Sequence, residues 1–180
     1  MTTQRVHLRP MTADDTKQIV AWRNQDFVRH NFISQALFTK EGHRKWFEER
    51  VMPGYVAQFI ICLADGREIG SVYLRDIDRA AGVAEYGIFI GEEDALGCGY
   101  GSETAGLALE YAFETLQLDK VFLRFMEGNE RARKSYENAG FRMIENKWES
   151  VSLNQGERRV FFMEIRREDW ILRRDNQREY

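Results

Sequence analysis

The sequence predicts an α+β fold: a single domain with a central, mostly antiparallel sheet of about seven strands flanked by about four helices. Three observations carry that expectation. Apolar residues keep helical spacing early in the chain and again from Gly101, and between Val56 and Ile90 they switch to the period of strands. Asp65-Gly66 and the segment Asp76 to Gly82 separate those strand runs with residues that make hairpin turns. At 180 residues, 43% of them hydrophobic, the chain has room for one sizeable core, because domains usually hold about 100 to 200 residues.

The first strand is expected at Val6 to Arg9. Thr12 follows as a helix cap, with Asp14 and Asp15 in the first turn, where the helix dipole favours acids. Ile19, Val20 and Trp22 are the apolar positions of that helix, which ends near Asn24, and Gln25 to Phe38 reads as a polar and aromatic connector. A second helix spans Thr39 to Val51, carried by Trp46, Phe47 and Val51, and Pro53-Gly54 stops it. Val56 to Leu63, Glu68 to Leu74 and Val83 to Ile90 then form an antiparallel meander. From Gly101, the residues Ala105, Leu109, Ala112, Phe113 and Leu116 build one apolar helical stripe that covers the sheet. Val121 to Met126 is a further strand, and Asn129 to Ala139 is a short helix ended by Gly140. Arg142 to Leu153 and Arg158 to Arg166 close the fold as a hairpin around Asn154-Gln155-Gly156. The charged tail after Arg167 is expected to fray; the alternative is a last short helix or docked segment holding Trp170, Ile171 and Leu172.

Charge and composition exclude several functions. The net charge of −3 comes from 29 acidic and 26 basic residues that are interspersed, so no basic face for nucleic acid is expected. Met1 to His7 lacks the apolar core of a signal peptide, and no run approaches the ~20 apolar residues of a membrane span. A cytoplasmic protein without membrane contact is the expectation. Cys62 and Cys98 lack CxxC spacing and a histidine cluster, so no metal is expected. Cys98 stands at a helix start, where a thiol's pKa falls, but a small space-filler is the expected role.

Ala95 to Ser102 lies between a strand-like run and a helical one and carries Gly97, Gly99 and Gly101. Glycines let the backbone take positive φ and turn its N–H groups to one point, and the helix start adds the positive end of its dipole, so the turn suits a diphosphate. A plain chain reversal is the alternative. Downstream stand Asn129-Glu130-Arg131-Ala132, then Tyr136 and Gly140-Phe141; upstream is Glu85-Tyr86-Gly87-Ile88-Phe89-Ile90. Together with Gly99-Tyr100-Gly101-Ser102-Glu103, these residues resemble the GNAT family of acetyltransferases. Trp22-Arg23-Asn24, His43 and Trp46-Phe47 resemble the branch holding ribosomal-protein N-terminal and bacterial amino-sugar acetyltransferases. One position departs: Leu96 stands where the family pattern has Arg or Gln, which removes one auxiliary contact from a cradle made of backbone amides.

The resemblance implies an acetyl-CoA-dependent N-acetyltransferase, with no metal, acting as monomer or homodimer. The acceptor would be the amine of an amino sugar or nucleotide amino sugar, a small amine or a protein N-terminus. A non-catalytic acyl-CoA-binding sensor of the same fold is the alternative. Residues 1–56 would form the acceptor side, 83–141 the acetyl-CoA core, 142–166 the closing hairpin and 167–180 the tail. For the cofactor, the resemblance implies Leu96, Gly97, Cys98, Gly99, Tyr100, Gly101 and Ser102, with amides of Gly99, Gly101 and Ser102 on the pyrophosphate. Asn129 and Arg131 join them, and Phe89, Ile90 and Gly91 would offer a strand edge to pantetheine, with the Phe89 or Ile90 amide as oxyanion donor. Tyr136 is implied as general acid; it follows Asn129 by seven residues, two helical turns, so both side chains share one helical surface, and a packing tyrosine is the plainer reading. Glu85 is the first choice of base, with Glu92, Glu93 and Asp94 competing and a salt-bridged role as its plainer reading. Trp22, Arg23, Arg29, His43 and Trp46, with His30, are candidates for the acceptor site. Core packing is the alternative for both tryptophans, and a surface or capping role for His43.

Overall fold

The computed structural model describes residues 4–178. Met1 to Thr3, where the leader reading begins, and Glu179 and Tyr180, which end the tail, lie outside the described residues. Among the described residues seven strands form one sheet in the order β1-β2-β3-β4-β5-β7-β6. They are β1 (Val6–Pro10), β2 (Ala57–Leu63), β3 (Glu68–Asp78), β4 (Val83–Ile90), β5 (Lys120–Met126), β6 (Arg142–Leu153) and β7 (Gly156–Arg166). Every neighbouring pair is antiparallel except β4 and β5. That pair is parallel because a helix joins them, and a parallel return needs such a crossover.

The helices are α1 (Thr16–Asn24), α2 (Asp26–Arg29), α3 (Lys40–Trp46), α4 (Tyr100–Glu110), α5 (Glu130–Ala139) and α6 (Arg167–Arg178), with wider turns extending α3 to Val51 and α4 to Thr115. Their ends follow the sequence closely. Thr39 accepts a bond from the Gly42 amide at 3.0 Å, Asn129 caps α5 through the Ala132 amide at 3.3 Å, and Gly140 ends it at φ 103°. Among the described residues six α-helices stand where about four were expected. One extra is the single turn α2 inside the connector. The other is α6, which overturns the expectation of a frayed tail up to Arg178. Trp170 is buried against Phe113, with ring centroids 5.4 Å apart, Arg173 donates to the Asn138 carbonyl at 2.6 Å, and Arg174 pairs with Glu114. Burial of one large apolar ring and these polar ties hold a segment whose composition alone predicts none.

Alternation along the strands splits the core in two. Val72, Leu74, Ala84, Tyr86, Leu123 and Phe125 face one side of the sheet with Ala105, Leu109, Phe113 and Tyr136 from α4 and α5. Ile60, Cys62 and Phe89 face the other, where Ile19 and Trp22 of α1 cover them. The sheet also opens along its middle. β4 pairs with β5 only from Val83↔Lys120 to Tyr86↔Leu123, whereas β4 stays on β3 through Ile90 and β5 stays on β7 through Met126. Past Tyr86 the two central strands diverge, and one cavity of about 910 Å³ occupies the gap and reaches both faces.

Candidate active site

At one end of the cavity lies the glycine loop. Gly97 and Gly99 take φ of 75° and 85°, conformations open to glycine at little cost. Gly101 has another reason to be small: a Cβ there would stand 2.9 Å from Ser135 Oγ, where α5 crosses α4. The amide of Ser102 already bonds the Gly99 carbonyl at 3.2 Å, which takes it out of the expected cradle. The amides of Gly97, Cys98, Gly99, Tyr100 and Gly101 have no backbone acceptor, and they sit at the positive end of α4. Arg5 ties the loop to β1: it donates to the Cys98 carbonyl at 3.1 Å, pairs with Glu103 and lies 5.0 Å from the Tyr100 ring. Arg131 and Lys134 of α5 add positive charge to this end of the wall.

The middle of the cavity runs along the exposed side of β4. The Gly91 amide bonds the Ile69 carbonyl at 2.8 Å, so backbone groups of odd-numbered residues turn to β3. Those of Ile88 and Ile90 turn to the side that β5 has left. The expected edge of Phe89, Ile90 and Gly91 is corrected accordingly: Phe89 faces β3 with its backbone, and the Gly91 carbonyl accepts Gln25 Nε2 at 2.8 Å. Tyr136 also stands here, packed against Tyr86, Phe125 and Phe141 at 6.1 to 6.2 Å between centroids. Burial raises its phenol's pKa well above the ordinary value, so the hydroxyl keeps its proton across the neutral range. Tyr86 has a buried hydroxyl without a partner.

Beyond the gap the cavity continues on the α1 side. Glu85, 6% exposed, holds two arginines across three strands: Arg75 Nε at 3.0 Å and Arg124 Nε at 2.9 Å. Burial would raise this carboxyl's pKa, but the hydrogen bonds and charges of Arg75 and Arg124 outweigh it and hold it below the usual range. Tyr73 stands beside Arg75, 6.0 Å from ring centre to guanidinium, with its ring across Gly87, where any Cβ would overlap it. His43 is 4% exposed, with Nδ1 3.0 Å from Thr16 Oγ1 and Nε2 without a partner. Burial lowers its pKa, against a weaker opposing pull from Asp15, and the ring is neutral. Trp46 lines the wall beside Gln58.

The cavity therefore gathers most of the residues singled out in the sequence: Arg23, His43, Trp46, Glu85, Phe89, Ile90, Leu96, Gly97, Gly99 to Ser102, Asn129, Arg131 and Tyr136. Five stand off its wall, His30 at the end of α2 among them. Trp22 is core, donating to Glu92 at 2.7 Å and pressed on Gly91. Arg29 is spent on Asp26 at 2.8 Å. Cys98 is exposed and not a filler, and Gly91 serves packing. Nor do Glu92, Glu93 and Asp94 reach the wall, which leaves Glu85 as the one carboxylate among its described residues. Tyr73, Arg75, Arg124 and Lys134 escaped the sequence reading. A lone arginine within the apolar run Val121 to Met126 was the available sign of Arg124.

Residues 5–142 match the model of the acetyltransferase (GNAT) domain. The chain is 26% identical over 136 residues to a spermidine N(1)-acetyltransferase of Escherichia coli strain K12, covering 76% of this chain and 72% of that one. It is 30% identical over 145 residues to the probable N-acetyltransferase YjcK of Bacillus subtilis strain 168, covering 76% and 80%. Among solved structures, spermidine N-acetyltransferase from Vibrio cholerae in complex with CoA and spermine superposes at a TM-score of 0.85 with 22% identity, over 93% of this chain and 98% of that one. Among the described residues no helix is long and apolar enough to cross a membrane, and no group of side chains could hold a metal ion.

Proposed function

The chain belongs to the GNAT acetyltransferases, and from that premise we propose that it acetylates a primary amine at the cavity between β4 and β5, with acetyl-CoA as donor. The observation that carries the reading is the divergence of the two central strands past Tyr86, which joins the glycine loop, an unpaired strand edge and Tyr136 in one space. The cavity fits such a donor: free amides and the cations Arg131 and Lys134 suit its phosphates, and the Ile88 and Ile90 edge suits an amide-bearing arm. When bound, acetyl-CoA supplies the activated acetyl group.

The chain's own residues do the rest. The Ile88 or Ile90 amide, aimed into the gap, donates to an oxyanion there. Tyr136 holds its phenolic proton and delivers it to the departing sulfur. Glu85, expected as base, has its oxygens taken by Arg75 and Arg124 and a depressed pKa, which makes it a weak proton acceptor. His43 suits the task better, because its ring is neutral and, when Nδ1 donates to Thr16, Nε2 is free to accept. Acetyl-CoA with a panel of amino sugars, polyamines and ribosomal-protein N-terminal peptides, read as free thiol, tests the reading. Tyr136→Phe should keep CoA affinity and slow turnover about 10² to 10⁴-fold; unchanged turnover removes Tyr136 from the reaction.

A further inference from the structure

We propose that the acceptor carries an anionic group, a carboxylate or a phosphate, and that Arg23 is its anchor. Arg23 is 5% exposed and lies on the cavity wall. Its guanidinium is stacked between Phe32 and Phe38, 3.3 and 4.4 Å from their centroids, and its Nη1 has no hydrogen-bond partner. No carboxylate pairs with it among the described residues; burial pushes its pKa down to about 10, so it stays charged at neutral pH. A buried cation without a counter-charge is costly, and aromatic faces offset only part of that cost. The neighbouring wall offers it no anion: Glu85 is held by Arg75 and Arg124, which also lie 3.9 Å from Asp76 and 3.6 Å from Glu149, so those two arginines are balanced while Arg23 is left without a counter-charge.

Such a chamber repels a polycation and attracts an amine that bears an anion. In this respect the chain departs from what the names of its spermidine-acetylating relatives suggest for it. The planar fork of Arg23 would take a carboxylate or phosphate through paired N–H bonds. The proposal rests on the acetyltransferase reading and names the substrate class of that site.

The test compares acceptors that differ only in the anion: glucosamine 6-phosphate with glucosamine, and the dipeptide Ala-Gly with its C-terminal amide, beside spermidine. The anionic member of at least one pair should have a kcat/KM at least tenfold above its partner, and which pair does so separates phosphate from carboxylate. Arg23→Met should cut the anionic member about 10 to 100-fold, the range of a hydrogen bond to a charged group. It should lower the uncharged member less than the anionic one, so that the ratio of the two collapses, and leave Tm at or above that of the unaltered protein. Arg23→Lys should retain part of the preference. Calorimetry on CoA-saturated protein gives a readout without turnover. Anion binding lost in Arg23→Met, with no acetyl transfer to any acceptor, would uphold the anchor and sink the enzyme reading. Equal rates within both pairs, spermidine as best acceptor, or absence of anion binding at millimolar concentration overturns the anchor and leaves the acetyltransferase reading intact.

Discussion

His43 is where burial, charge and pH meet in one side chain. Its neutral ring is enclosed between α1 and α3, and its folded pKa lies below the ordinary 6.5. As pH falls the unfolded chain therefore binds the proton first, so the stability that depends on a neutral His43 is complete above about pH 6.5 and is lost as pH falls towards the folded pKa. His43→Gln should flatten the dependence of the urea midpoint on pH below about 6.5; an unchanged slope would assign that acid sensitivity to another group. Glu85 follows the same sign lower down, since its carboxylate is stabilised by Arg75 and Arg124: that contribution is present above about 4.5 and lost as pH falls through the depressed pKa. Both side chains were legible as chemistry in the sequence, and their roles were not. Whether Glu85 is a free base depends on Arg75 and Arg124, and these reach it only through the registers Arg75↔Glu85 and Tyr86↔Leu123. The first register spans a hairpin, but no local pattern encodes the second, which joins strands 39 residues apart at Glu85 and Arg124.

At the scale of elements, β4 links packing to the site. The ring of Trp22 lies where a Gly91 Cβ would be, and it cannot swing away while Nε1 is bound to Glu92 and its edge meets Phe89 at 6.3 Å. Gly91→Ala should cost about 1 to 3 kcal/mol by overpacking and should weaken CoA binding, because the end of β4 carries the Ile90 edge. Gly106 is the control. It sits in α4 with nothing within 4 Å of its Cβ position, and Gly106→Ala should stabilise by about 0.5 to 1 kcal/mol. Thermal melts read both, and equal effects would dismiss the steric argument. Regular elements were readable because their periods are local: the meander, the long helix and the closing hairpin stand where alternation, apolar stripes and turn residues put them. α6 was not, since its stability comes from Trp170 on Phe113, a contact with a segment far upstream.

For the molecule as a whole, the weakest seam of the sheet is also its candidate site. Only four residue pairs join β4 to β5, so the sheet's two halves, β1 to β4 and β5 to β6, meet across a cavity in place of a continuous ladder. A ligand that bonds the Ile88 and Ile90 edge while its phosphates rest on α4 and its flank meets α5 would cross that seam. Binding to the folded state alone then adds RT ln(1 + [L]/Kd), about 2.7 kcal/mol at one hundred times Kd. For a domain of this size that corresponds to a rise in Tm of about 5 to 10 °C. CoA should give such a rise in the unaltered protein. Gly101→Glu should not, because it places bulk and negative charge beside the free amides and crowds Ser135. A Tm that ignores saturating CoA would mean that the gap between β4 and β5 is not where the donor binds. An equal rise in both proteins would place the phosphate seat away from the glycine loop and leave the strand edge as the site of contact.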